Sequence, residues 1–448
     1  MSSTFPAPTT KQPVSRHQAL TALTAAMRIA AILVGLLVGM RATWQMVEFT
    51  DFPVDMVVYR EGVQAFMQGR PVYSVPVDIG DLLLPFIYPP FGALAMVPLA
   101  GDWFNHDDAG NIMIIVSNAL LGVCMWCGAR FLNHNARRSL PTLEYSALVA
   151  LAWGIMCWSE PVRLNNGFGQ VNMVILALVA LDLIPRKRWL PQGTLIGIAA
   201  AIKITPLAML LFFALRRQIK PIVWAVTTTL AATLVAAAVR WDAAWEFFTV
   251  KLLAMGSGQD FGVSKAYQSN SSITGFLLRA YPNEESMNAH TSLTNILWLA
   301  LSVTVVVAGA WIMRRLLSAH WVLDAVVVNA FIMLLVSPIS WSHHWVWLAL
   351  VLPLLLYRGL TMWNRHWSAP VLTLLTAVWT YFVLDVPPKW FFGDDVNLWA
   401  LSWPQKIFIS DYIWFALISA ALLAVLSNFA KQNSNSPRLD GITASVES

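Results

Sequence analysis

Residues 20–47, LTALTAAMRIAAILVGLLVGMRATWQMV, form an apolar stretch that decides the fold class. A helix needs about 20 apolar residues to cross the roughly 30 Å of bilayer hydrocarbon, so this segment can span a membrane. The 448-residue chain is 57% hydrophobic and only 12% charged, whereas soluble proteins carry about 25% charged residues. This composition excludes a soluble or disordered protein, and three Cys exclude a disulfide-stapled secreted fold. We therefore predict an all-α polytopic membrane protein.

Nine further stretches resemble the first, and two more are too short or too broken to be simple spans. The nine candidate spans lie near residues 109–131, 143–159, 171–185, 219–239, 292–313, 319–338, 344–357, 368–385 and 408–430. The two irregular stretches are 88–101 and 190–215, the second interrupted by Lys203 and Pro206. Irregular backbone at membrane depth persists only where protein or a water-filled cavity covers it. We expect half-helices there, and ten to twelve membrane segments in all.

The charges predict which loops lie on which side of the membrane. Short connections carry the basic clusters, and most of the 24 Asp and Glu residues fall in longer loops. Because Lys and Arg concentrate in cytoplasmic loops, we expect the long acidic loops to be extracytoplasmic and the protein to be a multi-pass plasma-membrane protein. Those loops are 48–108, 158–170, 240–290 and 386–407. We expect 1–18 and 431–448 to be disordered cytoplasmic termini, and Asp182 and Asp324 to be solvated at the cytoplasmic ends of their spans.

The first long loop carries the strongest indication of chemistry. Residues 54–68 have the apolar spacing of a helix lying in the membrane interface, and Asp51 and Asp55 lie one helical turn apart at its start. An Asp here could be a general base or a plain helix cap. An external carboxylate with scattered cations suits transfer from a lipid phosphate, since the cations can hold the departing phosphate. The loops leave no room for a nucleotide-binding domain, and the basic residues report topology rather than nucleic-acid binding. A lipid-linked-sugar transporter is less favoured because charges within the spans are scarce.

Five segments resemble glycosyltransferase family 87, an actinobacterial family of polyprenol-phosphate-dependent membrane enzymes with the GT-C fold. They are VDMVVYREGVQAFMQGRPVY (54–73), LPFIYPPFGAL (84–94), EPVRLNNGFGQVN (160–172), AAIKITPLAMLLFFALRR (200–217) and SPISWSHHW (337–345). The resemblance implies a catalytic domain over residues 19–430 and an inverting α-(1→2) transfer of mannose from polyprenyl-phosphate-mannose on the outer leaflet. The implied acceptor is a glycolipid, either a phosphatidylinositol mannoside or the lipomannan and lipoarabinomannan built on it. The same family includes arabinofuranosyltransferases that use decaprenylphosphoryl arabinose.

The resemblance also assigns roles to individual residues. Asp55, in the setting Asp-x-x-x-Tyr with Tyr59, is implied as general base, with Asp51 as the second candidate. The other implied substrate-binding residues are Arg60, Tyr88, Glu160, Arg163, Gln170, Asn172, Lys203, Asn270, His343 and His344. His343 and His344 could instead lie in an aromatic belt at the membrane interface. Lys203 could instead pair with a nearby group of the protein. At Asn270 the chain departs from the family pattern, since Ser271 stands where Gln is usual. We expect no cofactor and no protein metal site, and the pattern leaves divalent-cation dependence and oligomeric state open.

Overall fold

The structure is a computed structural model that describes residues 16–50, 52–80, 82–136, 139–184, 187–256 and 262–435. Asp51 lies outside the described residues, as do 1–15 and 436–448. Helices extend into residues 16–18 and 431–435, because backbone hydrogen bonding continues past the last apolar residue. These helical residues fall inside the ranges 1–18 and 431–448, which the sequence predicts to be disordered.

The first half of the chain is a set of helices with one short antiparallel hairpin. The helices are α1 (Arg16–Phe49), α2 (Val54–Met67), α3 (Pro90–Met96), α4 (His106–Asn135), α5 (Thr142–Met156), α6 (Glu160–Gly167), α7 (Asn172–Leu183), α8 (Thr194–Ile202), α9 (Leu210–Leu215) and α10 (Ile219–Val239). The hairpin strands are β1 (Val77–Ile79) and β2 (Leu82–Leu84), with Val77 opposite Leu84. Short 3-10 segments follow α3 at Val97–Leu99 and precede α9 at Thr205–Met209.

The second half continues in the same way. Its helices are α11 (Trp241–Glu246), α12 (Leu252–Gly256), α13 (Ile273–Arg279), α14 (Glu284–Ala289), α15 (Thr291–Ser318), α16 (Val322–Val336), α17 (Leu348–Thr361), α18 (Ser368–Leu384), α19 (Trp403–Phe408) and α20 (Asp411–Asn435). A π-helical turn, Phe247–Lys251, joins α11 to α12. Short 3-10 segments lie at Ser342–Trp347, Pro388–Trp390 and Leu398–Ala400.

Within the described residues, six helical stretches are long and apolar enough to cross a membrane. They are Leu20–Phe49, His106–Asn135, Ile219–Val239, Thr291–Ser318, Ser342–Thr361 and Asp411–Ala430. Four other predicted spans are shorter apolar helices, namely α5, α7, α16 and α18. At about 1.5 Å per residue, the 12 residues of α7 cover about 18 Å. Nearly all of α7 and α16 is buried by other helices, so these two form the centre of the bundle. The structure confirms the predicted mostly helical membrane fold.

Both irregular stretches form the half-helices that the sequence predicts. Helix α8 ends where Lys203 adopts an extended backbone, and the chain turns through Thr205–Met209 into α9. Helix α3 approaches this break closely: a Cβ on Gly92 would lie 2.9 Å from the carbonyl oxygen of Ile202. The tip of one half-helix therefore packs directly against the break in the other.

Helix α2 differs from the expected interfacial helix with one face in lipid. Nine of its 14 residues are buried, including Met56, Val63 and Phe66. Protein therefore covers more than one face of α2. The reason is local: α2 packs against α3 and α4, and Phe86 lies on Gly62.

Asp182 and Asp324 are buried, so the prediction that they are solvated is wrong. Asp182 accepts hydrogen bonds from the backbone N–H of Gly193 at 2.9 and 3.0 Å and of Ile196 at 3.0 Å, at the start of α8. Asp324 is fully buried and accepts two bonds from Arg358, at 2.6 and 3.0 Å. A buried carboxylate requires such partners. Both residues hold elements of the bundle together.

Candidate active site

The first turn of α2 presents Asp55 beside the loop that follows α6. The backbone N–H groups of Asp55 and Met56 both donate to the carbonyl of Phe168, each at 3.1 Å. This carbonyl satisfies N–H groups that a helix start leaves without partners, so the Asp55 side chain does not serve as the cap. Gly169 has a φ of +67°, and a Cβ there would lie 2.8 Å from Cβ of Met56. Glycine thus permits the close turn that brings residue 170 against α2.

Gln170 is the centre of a buried hydrogen-bond network. Its Nε2 donates to Oδ2 of Asp55 at 2.7 Å and lies 3.3 Å from Nε2 of His343. Its Oε1 accepts from the hydroxyl of Tyr59 at 2.6 Å, and the hydroxyl of Tyr88 lies 3.4 Å away. The two tyrosine hydroxyls are 2.7 Å apart. An amide nitrogen can only donate, so Nε2 of His343 is the acceptor. The Gln170 amide therefore fixes the orientation of the carboxylate.

Asn172 extends the same network to Lys203. Its Nδ2 donates to Oε1 of Gln170 at 3.1 Å and to the backbone carbonyl of His343 at 3.2 Å. Its Oδ1 accepts from Nζ of Lys203 at 2.9 Å, and this Nζ lies 3.3 Å from Nε2 of His344. Asp55 and Lys203 are thus the two ends of one connected set of polar side chains.

The surroundings of Asp55 tune its proton affinity. Enclosure by protein raises the pKa of Asp55 to about 6, while the hydrogen bond from Gln170 and the positive charge of Lys203 act in the opposite direction. Burial also raises the pKa of Tyr59, which keeps its hydroxyl protonated as a donor. The Asp55 side chain remains partly exposed. A carboxylate with a pKa near 6 is mostly ionised at neutral pH and accepts a proton more readily than an ordinary Asp, as a general base requires.

A narrow cleft opens at the Lys203 end of the network. Its apolar walls include Ile175, Met333, Leu334, Ile339 and Trp347. Its polar lining residues are Asn172, Lys203, Thr205, Ser337, Ser340 and His344. Lys203 and His344 are both partly exposed. The cleft therefore combines a cation with apolar walls.

The structure places four other predicted site residues away from this network. Arg60 binds the backbone carbonyls of Leu99 and, at 2.6 Å, Phe104, so it holds the segment after α3. Asn270 bonds to three backbone groups, among them N–H of Ser340 at 2.9 Å, and so orders the chain ahead of the His pair.

Glu160 and Arg163 face the segment that links α18 to α20. Glu160 accepts from Nε1 of Trp390 and from the hydroxyl of Tyr412, both at 2.8 Å. Arg163 donates to the backbone carbonyl of Asp385 at 3.3 Å. Glu160 and Arg163 join α6 to this segment.

Sequence reasoning missed Lys389, which is fully buried and bonds to the residue before the His pair. Its Nζ donates to Oγ of Ser271 at 2.8 Å and of Ser342 at 3.2 Å, and lies 3.2 Å from Oδ1 of Asp411. It also lies 3.3 Å from the ring centre of Tyr412. This ammonium group ties the residue before His343 to two other segments. The available signal was local: a lone Lys between Pro388 and Trp390 in an aromatic stretch.

Within the described part of the chain, no three His, Cys, Asp or Glu side chains come together as a metal site. The rings of His343 and His344 stand at 89° with centres 4.7 Å apart. Nε2 of His343 accepts from Gln170 and Nε2 of His344 accepts from Lys203, so the two rings serve different partners.

These features define a polytopic membrane enzyme with a carboxylate and a cation held at the ends of one polar network. A family model described as glycosyltransferase family 87 matches residues 86–338. The chain therefore belongs to glycosyltransferase family 87, and it is a glycosyltransferase, as its resemblance to that family predicted. The matched range includes Tyr88, the 160–172 motif, Lys203 and Asn270.

Three curated relatives are similar over most of their length. A polyprenol-phosphate-mannose-dependent alpha-(1-2)-phosphatidylinositol mannoside mannosyltransferase of Mycobacterium tuberculosis (strain ATCC 25618 / H37Rv) is 33% identical over 422 residues, covering 90% of this chain and 92% of the relative. The Mycolicibacterium smegmatis protein of the same description is 30% identical, with 86% of each chain covered. A polyprenol-phosphate-mannose-dependent alpha-(1-2)-phosphatidylinositol pentamannoside mannosyltransferase of M. smegmatis is 31% identical, covering 80% of this chain and 82% of the relative.

Proposed function

We propose that this protein transfers mannose from polyprenyl-phosphate-mannose to a phosphatidylinositol mannoside, forming an α-(1→2) bond. One structural observation carries the proposal: Asp55 and Lys203 lie at opposite ends of the Gln170–Asn172 network. A glycosyl transfer needs a base on one side of the sugar and a phosphate-binding cation on the other. The names of the relatives support the donor and the acceptor class.

In this proposal Asp55 takes the proton of the acceptor hydroxyl. The hydroxyl oxygen then attacks the anomeric carbon, and the bond between that carbon and the phosphate oxygen breaks with its electron pair on phosphate. Attack from the face opposite the leaving group inverts the configuration, so a β-linked donor gives an α-linked product. Gln170 holds the Asp55 carboxylate for this step.

Lys203 binds the departing polyprenyl phosphate. A leaving phosphate requires charge stabilisation more than protonation, and Lys supplies a compact charge. His344 and Asn172 accept hydrogen bonds from its ammonium group and so orient it. The apolar walls of the cleft, including Ile175, Leu334 and Trp347, suit the first isoprene units of the donor.

We further propose that the site faces the extracytoplasmic side. Arg216 precedes α10, whose far end places Arg240 against the carbonyls of Ala65 and Phe66 in α2. Arg365 follows α17, whose other end adjoins the His pair. Arg216 and Arg365 therefore lie at the end of the bundle opposite Asp55, and basic residues concentrate on the cytoplasmic side of membrane proteins. An impermeant maleimide applied to intact cells tests this orientation. Asp78→Cys, on an exposed strand residue, should be labelled and Arg365→Cys should not. The reverse pattern would contradict the orientation.

Reconstituted protein tests the reaction itself. Liposomes receive labelled mannosyl-phosphoryl polyprenol or, separately, the arabinosyl donor, with phosphatidylinositol mannosides or lipomannan as acceptor. We expect labelled mannose in an α-(1→2) linkage on the mannoside. Transfer of arabinose alone, transfer to lipomannan alone, or movement of the donor across the bilayer without transfer would each contradict the proposal.

A further inference from the structure

A second cleft lies at the end of the bundle opposite Asp55. It has a volume of about 500 Å³ and is lined by Leu215, Arg216, Gln218, Arg314, Leu317, Ser318, His320 and Val322. The side chains of Arg216, Arg314 and His320 are exposed. Helix α16, of 15 residues, separates this cleft from the segment that carries His343. At about 1.5 Å per residue the separation is about 22 Å, so the cleft is distinct from the candidate active site.

The charge of the cleft is of one sign. Two guanidinium groups and an imidazole line it, and none of its eight lining residues is an Asp or Glu. Arg358 pairs with Asp324 and Arg28 with Glu144, whereas Arg216 and Arg314 form no ion pair with a carboxylate in the described ranges. A cleft between helix ends with clustered Arg is a ready site for a phosphate group.

The backbone at this cleft is unusual. Arg217 and His320, with φ of +54° and +60°, are the non-glycine residues with positive φ in the described ranges. They lie just past the ends of α9 and α15, the helices that border the cleft, at positions where glycine is favoured. Each carries a basic side chain instead. His320 lines the cleft and Arg217 directly follows the lining residue Arg216, so both left-handed turns lie at the cleft despite their conformational cost.

An exposed apolar stripe on α15 leads into this cleft. Ile296, Val303 and Val307 are between 54% and 65% exposed. They lie 18, 11 and 7 residues before Arg314, spacings that return to the same side of a helix. A ligand with a phosphate in the cleft can thus lay hydrocarbon along α15.

We propose that this cleft binds the phosphate headgroup of an anionic glycerophospholipid whose acyl chain lies along that stripe of α15. The continuity of the basic cleft with the lipid-facing stripe favours a lipid over free phosphate. The site is separate from the donor and acceptor positions of the proposed reaction. The bound lipid would stabilise the end of the bundle at which α9 and α15 meet.

Lipid binding to the detergent-purified full chain tests this proposal by native mass spectrometry. The probes are phosphatidylglycerol, phosphatidylcholine and inorganic phosphate. The double variant Arg216→Gln/Arg314→Gln removes both guanidinium groups, and Lys220→Gln/Arg365→Gln removes two exposed charges at the same end outside the cleft. We expect phosphatidylglycerol to bind more tightly than phosphatidylcholine, and its affinity to fall about 30-fold in the first variant and about twofold or less in the second.

Equal loss in the two variants, or equal affinity for the two lipids, would overturn the proposal. Binding of inorganic phosphate with the same dependence on Arg216 and Arg314, and without preference for lipid, would also overturn it in favour of a free-phosphate site. If the double variant does not fold, Arg314→Gln alone should weaken phosphatidylglycerol binding about fivefold. An unchanged affinity in that variant would count against the site.

Discussion

Replacing Gln170 by Leu should move the pH dependence of catalysis. The variant keeps the approximate size of the side chain and removes the amide that donates to Asp55 at 2.7 Å. That hydrogen bond lowers the pKa of Asp55, and the value of about 6, raised by burial, is the one with the bond in place. Its loss must therefore raise the pKa further. A hydrogen bond to a charged group contributes about 1.5–3 kcal/mol, and 1.36 kcal/mol corresponds to about one pKa unit.

The expected pKa of Asp55 in the variant is therefore about 7–8. A general base must be unprotonated, so activity falls as pH falls through this value. At pH 7 the ionised fraction drops from about 90% to between about 10% and 50%, and at pH 9 this loss disappears. Whatever rate loss remains at pH 9 reports the disturbed positions of Tyr59 and His343, which also bond to Gln170.

The assay is the initial rate of sugar transfer between pH 5 and 9, with saturating donor. Gln64→Leu is the matched control, because Gln64 lies on the same helix as Asp55 and makes one long bond, 3.4 Å, to the carbonyl of Ala100. The transfer rate of the control should fall on the acid side at the same pH as that of wild type. If the activity of Gln170→Leu falls at the same pH as that of wild type, or at a lower pH, the Gln170 bond does not lower the pKa of the base.

Three further predictions concern the cation, the His segment and the opposite end of the bundle. Lys203→Gln should lower kcat/KM for the donor about ten- to hundredfold, because a charged contact to phosphate is lost. An unchanged kcat/KM measured in liposomes would contradict a role of Lys203 in donor binding. Ser342→Ala removes a hydroxyl that accepts from Lys389 at 3.2 Å. Because one positioning bond is lost, kcat should fall about three- to tenfold with little change in KM. A change in KM alone would argue for direct substrate contact. Asp324→Asn weakens the buried pair with Arg358 and should cost about 3 kcal/mol of stability. The thermal unfolding midpoint should fall while turnover per folded molecule stays unchanged. An unchanged midpoint would contradict a stabilising role for the Asp324–Arg358 pair.

Local patterns in the sequence predicted the helices and the breaks in them. Lys203 and Pro206 interrupt an apolar run, and the structure breaks there because a charge and a missing N–H both disfavour a continuous span. The positions of α3, α8 and α9 follow from this kind of local reading. Helix lengths followed less well. Helices α7 and α16 end before Pro185 and Pro338, because the residue that precedes a proline disfavours helical backbone.

The long-range contacts of the site were beyond sequence reasoning. Asp55 and Gln170 are 115 residues apart, and no local pattern pairs them. Each was predicted as a site residue from a separate motif. Lys389 was missed because its partners Ser271, Ser342 and Asp411 come from three other segments. Asp324 was misjudged because its position near a helix end indicated solvent, whereas Arg358 from α17 covers it.

The role of Asp55 as general base is tested most directly by the turnover of Asp55→Asn in liposomes. The liposomes contain labelled mannosyl-phosphoryl polyprenol and a phosphatidylinositol mannoside. Glu61→Gln is the matched control, since it makes the same carboxylate-to-amide change on a partly exposed residue of α2. We expect Asp55→Asn to turn over at least about 100-fold more slowly, with donor binding retained and the control near wild type. Turnover of Asp55→Asn within about threefold of wild type would contradict the assignment of Asp55 as the base.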